Sequence, residues 1–182
     1  MGSSAALDNR LASLWDTPRT LMGSLTTVDH KTLGTRYLIT AFVFLCLGGL
    51  EAAVMRAQLA RPGEHLLSAE AYNQLFSMHG TTMMFLYAAP VLSGFSNYFV
   101  PLLVGSRDLA YPRLNAFSYW IFLFAGIFLY SSFLVGAAPN GGWFNYVPLT
   151  GRAFDPGINI DFYNIALIFL SVSTTVGAIN FI

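Results

Sequence analysis

The sequence predicts an all-α membrane protein with four transmembrane helices. Two observations carry that prediction. The first is composition: of 182 residues, 55% are hydrophobic and 10% charged, with a mean hydropathy of +0.57. A soluble domain carries about 25% charged residues, so this chain cannot dress an ordinary water-facing surface. The second is distribution. Four apolar stretches each approach or exceed the roughly 20 residues that a membrane helix needs. No Asp, Glu, Lys or Arg occurs between Glu70 and Arg107.

Residues 1–35 are polar and of mixed charge. They lack the basic-then-apolar pattern of a signal peptide and read as a cytoplasmic N-terminal tail. The membrane domain then runs over 36–182. Its first helix is expected over about 37–59, stopped by Arg61-Pro62-Gly63. The second is expected over about 72–104. It is longer than one straight span and contains Pro90, so a tilted or kinked helix is expected. The third is expected over about 114–138, ahead of Pro139-Asn140-Gly141-Gly142. The fourth covers about 159–182, and its last residues, Val176 to Ile182, have the pattern of an element interior. The chain is therefore expected to be truncated at its C-terminus, the first part of something longer.

Charge narrows the partners. The formal net charge is +0, which leaves no basic footprint for nucleic acid. Cys46 is the one cysteine and has no intrachain partner. Arg10, Arg19, Lys31 and Arg36 precede the first helix, and Arg107 and Arg113 flank the second loop. The positive-inside rule puts these segments on the cytoplasmic or matrix side.

Ionisable residues inside spans are expensive and point to function. The first helix carries Glu51 and Arg56. Five residues on, a helix has turned about 140° past a full revolution, so the two do not share a face. Arg56 lies near the helix end, where it can snorkel. His79 lies in SMHGTTMMF, between Met and Phe side chains and beside Gly80. It is either a histidine hydrogen-bonded to a neighbouring helix or an axial haem ligand. Asn97, Asp108 and Asn115 form a second group: an acid in the loop, with amides at the facing ends of two helices. They suit either an ordered chain of waters that relays protons or a solvated turn.

Taken together, MRAQLARPG from Met55, YNQLFSMHGTTMMF from Tyr72, NYFVPLLVGSRD from Asn97, YPRLNAFSYW from Tyr111, GGW at Trp143 and GAINFI from Gly177 resemble subunit I of the haem–copper oxidases. The likeness runs from Asp29 to Ile182. It implies that the four helices belong to a larger bundle of about twelve. It implies that His79 is an axial ligand of a low-spin haem iron, that Arg56 hydrogen-bonds the formyl group of that haem, and that Trp143 lies near its propionates. A formyl partner implies haem A. Asn97, Asp108 and Asn115 match the mouth of the proton-uptake route called the D channel. Ser173, Thr174 and Asn180 match polar residues further up it.

The implied activity is dioxygen reduction coupled to proton pumping, in a complex with subunits II and III in the bilayer. The high-spin haem, the copper and their ligands belong to later helices of the family, so no catalytic residue is assigned here. Quinol-oxidising relatives carry an acid on helix one with an arginine four residues before it, and a glutamine on helix two with a histidine three residues before it. Glu51 and Gln74 match, whereas Leu47 and Ala71 do not, which favours cytochrome c as donor over quinol. The family's sodium or calcium site has Gln58 in place of its acid, so no metal ion is expected there. Three other readings are a nitric oxide reductase, which lacks the D channel, a non-catalytic membrane scaffold, and a small transporter using Glu51 and His79. A bacterial plasma membrane is favoured over a mitochondrial inner membrane.

Overall fold

The computed structural model describes residues 20–181; the tail residues 1–19, with Arg10 and Arg19, and Ile182 lie outside them. Four long helices follow one short one. We number them α1 Leu21–Thr26, α2 His30–Gln58, α3 Ala69–Leu103, α4 Pro112–Ser131 and α5 Asn159–Phe181. The last four are long and apolar enough to cross a membrane.

The helix ends differ from the sequence expectation, and each difference has a local cause. α2 starts at His30 rather than near 37, so part of the expected tail is helical. Asp29 caps it, accepting from the Thr32 N–H and the Thr32 hydroxyl, both at 2.8 Å. An aspartate there satisfies amides that the helix start leaves orphaned. The polar turns from His30 to Arg36 then extend the rod to about 43 Å, beyond the apolar span. α4 stops at Ser131 instead of 138. The Ser131 and Ser132 hydroxyls donate to the Phe128 and Leu129 carbonyls, both at 2.6 Å, and compete for the last-turn acceptors. A run of tighter turns follows, ending at Gly136 with φ +65°.

α3 begins at a Ser68 cap and holds a π-helical segment, Thr82–Ala88, just before Pro90. Pro90 has no N–H for the carbonyl four residues back, and its ring crowds that carbonyl. A wider turn relieves both. The irregularity expected at Pro90 takes the form of the π-helical segment ahead of it.

The bundle packs through small residues. A Cβ on Gly34 would lie 2.8 Å from the Gly94 carbonyl oxygen, so α2 and α3 meet almost backbone to backbone. A Cβ on Gly126 would lie 2.4 Å from the ring of Phe44, which seats α4 on α2. Leu33, Tyr37, Phe44, Phe122, Leu129 and Leu170 fill the centre. Outward faces stay apolar, as at Ile39, Leu92 and Ile168.

Candidate functional site

Two polar clusters lie in opposite halves of α3. One surrounds His79 and the other surrounds Asn97, about 27 Å along the helix axis at 1.5 Å per residue.

His79 is oriented by the backbone of another helix. Its Nδ1 lies 2.9 Å from the Gly48 carbonyl oxygen of α2. A carbonyl only accepts, so Nδ1 donates and Nε2 keeps its lone pair. Imidazoles that bind metals are commonly fixed in this way. The ring is partly buried. Gly80 beside it gives room to Trp143: a Cβ there would lie 3.2 Å from both Cβ and Cδ1 of the indole. Three bonds hold the Trp143 loop. The Gly142 N–H donates to Ser77 Oγ at 2.7 Å, Asn140 Nδ2 donates to Glu70 Oε1 at 2.8 Å, and the Tyr163 hydroxyl donates to the Trp143 carbonyl. Trp143 is therefore held against Gly80, the residue after His79.

Arg56 is exposed and Glu51 is buried, so the two sit on different faces of α2, as the 140° rotation requires. Seven residues make nearly two turns, so Arg56 shares its face with Gly49, where a Cβ would meet nothing within 4 Å. His79 could hold a large flat metal cofactor through its free Nε2, while Gly49 and Arg56 lie on an open face of α2 and Trp143 is half-exposed.

The second cluster surrounds a cavity of about 200 Å³ lined by Tyr37, Ser93, Ser96, Asn97, Ser118, Ser173 and Thr174, with apolar side chains between them. Ser118 and Ser173 hydrogen-bond reciprocally across α4 and α5, at 2.8 and 2.7 Å, and the Tyr37 hydroxyl joins Ser118 Oγ at 2.7 Å. Asn97 donates from Nδ2 to the Ser93 carbonyl, while its Oδ1 is buried without a partner. Asn115 is fully buried and neither amide atom has a partner. Buried polar atoms of this kind call for water.

Asp108 is half-buried in the loop between α3 and α4 and accepts from the Leu109 N–H at 2.8 Å. Burial holds its carboxyl above the ordinary aspartate range, partly offset by that hydrogen bond and by His30 and Arg107. Asn180 lies at the level of this loop and not above it: its Oδ1 accepts from the Tyr111 N–H at 2.8 Å. The structure thus brings Asn97, Ser173 and Thr174 to one cavity, while Asn180 ties α5 to the loop that carries Asp108.

Sequence reasoning missed His30, Gly48 and Gly49, and gave Gln58 no structural task. His30 is buried, with Nδ1 3.0 Å from the Asn97 carbonyl oxygen, and its charge acts on Asp108. Gly48 and Gly49 divide the work at the His79 site, one bonding the ring and the other leaving space. Paired glycines in mid-span were the available signal. Gln58 is a staple: its Nε2 donates to the Glu64 carbonyl at 2.6 Å, and its Oε1 accepts from the Leu67 N–H at 2.7 Å.

The class defined by this arrangement is a multi-pass membrane protein with a backbone-anchored histidine and a cavity, partly lined by polar side chains, between its helices. The family described as "Cytochrome C and Quinol oxidase polypeptide I" matches residues 32–182, and the chain belongs to it. The chain is 51% identical over 165 residues to the putative cytochrome c oxidase subunit 1-beta of Streptomyces coelicolor, covering 90% of this chain and 29% of that protein. It is 45% identical over 159 residues to the heme-copper oxidase subunit I+III of Aeropyrum pernix, 87% of this chain and 20% of that one. It is 43% identical over 173 residues to the cytochrome c oxidase subunit 1 of Bacillus subtilis, 95% of this chain and 26% of that one. The chain spans less than a third of the length of these curated relatives.

Proposed function

We propose that the chain is the N-terminal part of subunit I of a terminal respiratory oxidase that couples dioxygen reduction to proton pumping. Its own contribution is a ligand for a low-spin haem and the lower part of a proton-uptake route. The single observation that carries this reading is the His79–Gly48 hydrogen bond, which leaves Nε2 as the metal-binding nitrogen within a family that carries haem.

A bound haem would supply one-electron transfer. The chain's residues then have separable tasks. His79 would hold the iron through Nε2, with Gly48 keeping the ring in register. Arg56 would supply a cation to the haem, and its pairing with a formyl group would make the cofactor haem A. Trp143 would lie near the propionates. Asp108 collects protons at the cytoplasmic mouth, and Asn97, Asn115, Ser173 and Thr174 hold the waters that carry them inward. Asn180 fixes the mouth.

Cytochrome c is the better-supported donor. Glu51 is buried and the Gln74 amide donates to Glu70 Oε1 at 3.2 Å, while Leu47 and Ala71 stand where quinol-oxidising relatives carry an arginine and a histidine. Partners are subunits II and III and the lipid of a bacterial plasma membrane, with the N-terminus on the cytoplasmic side. The test is His79→Ala in the full-length subunit. We expect the low-spin haem band to disappear from the reduced-minus-oxidised spectrum. A normal band would refute the assignment.

A further inference from the structure

Glu51 has no task in the account above, yet it is buried in the middle of a membrane helix. It is 7% exposed, and neither carboxyl oxygen has a hydrogen-bond partner. A carboxyl in that position costs free energy and persists only where something uses it. The polar group that faces it is the Tyr130 hydroxyl of α4. That hydroxyl lies 2.9 Å from Thr82 Oγ1. Thr82 is the first residue of the π-helical segment and stands three positions after His79.

The same junction is tight. A Cβ on Gly48 would lie 3.1 Å from Met83 Sδ and 3.2 Å from Thr82 Cγ2, so α2 rests directly on the start of the wide turn. Gly48, Glu51 and Met55 are all buried and recur at helical spacing on one face of α2. Phe44 packs on the Tyr130 ring with centroids 5.7 Å apart, which fixes where its hydroxyl points.

We propose that Glu51 is a positioning residue: with Tyr130 and Thr82 it forms a three-helix polar clamp that fixes the π-helical turn after His79, and so the seat of that histidine. The clamp requires a Glu51 oxygen to accept from the Tyr130 hydroxyl that faces it. The clamp then links α2, α4 and α3. A π-turn is an irregular element that its surroundings must hold in place, and this clamp grips its first residue. The clamp stands on the protein's own contacts. Its effect on a cofactor rests on the reading of His79 proposed above.

The test uses the full-length oxidase with Glu51→Leu, Tyr130→Phe, Glu51→Gln and the Leu/Phe double variant. Amide hydrogen exchange over residues 82–88 and the position of the low-spin haem band are measured together. Glu51→Leu and Tyr130→Phe are each expected to speed exchange several-fold and to shift the band. Glu51→Gln, which still reaches the tyrosine hydroxyl, is expected to behave as the parent. The double variant is expected to be no worse than the worse single one. Unchanged exchange in Glu51→Leu would overturn the clamp, and so would a Glu51→Gln that behaves like Glu51→Leu. A parent protein without a low-spin band would instead remove the haem reading, while the exchange data would still decide the clamp.

Discussion

His79 owes its orientation to a carbonyl 31 positions away in sequence, and Asp108 owes its proton affinity to how far its loop folds inward. The residue types were legible before the structure; their surroundings were not. A histidine in an apolar run suits a core hydrogen bond as well as a metal, and the Nδ1–Gly48 bond is compatible with both because it leaves Nε2 without a partner. Asp108 gives a sign that can be checked. Its folded-state proton affinity is raised from the ordinary value of 3.8, with burial the largest cause. The folded state therefore binds more protons than the unfolded one between those two values, and stability falls as pH rises through that window. We expect Asp108→Asn to escape this loss, so that its melting temperature relative to the parent rises with pH above about 4 and is flat below. In vesicles with a pH indicator, the same variant is expected to lose most proton uptake. Full pumping would contradict its role.

At the scale of elements, hydrophobic length located four spans, but their ends belong to individual side chains. Asp29 starts α2 early because a cap outweighs the polarity of the turns that follow. Ser131 and Ser132 end α4 early because hydroxyls take the carbonyls that another turn would need. Pro90 signalled irregularity without saying that it takes the form of a π-helical segment. The α2–α3 seam rests on Gly34 against Gly94, where the obstacle to any larger residue is backbone. Gly34→Val is expected to cost about 1–3 kcal/mol. A lowered melting temperature of the detergent-purified full-length subunit is the readout, and an unchanged value would mean that the seam opens freely.

For the molecule as a whole, the two clusters form one design. The same helix carries His79 in its first half and Asn97 in its second, so α3 joins the histidine cluster to the cavity at Asn97. The cavity at Asn97 could not have been read from sequence, because its lining comes from α2, α3, α4 and α5. The packing of Trp143 on Gly80 was equally hidden, since it depends on a loop pinned by Ser77, Glu70 and Tyr163. The outward faces remain apolar, which suits lipid and further helices of a larger bundle. The central claim is that this fold carries a low-spin haem on His79. Its most direct test is a reduced-minus-oxidised spectrum of the native protein extracted from its membranes. We predict a low-spin haem band with the signature of two nitrogen axial ligands. Membranes that contain the protein in quantity and yield no such band would contradict the account.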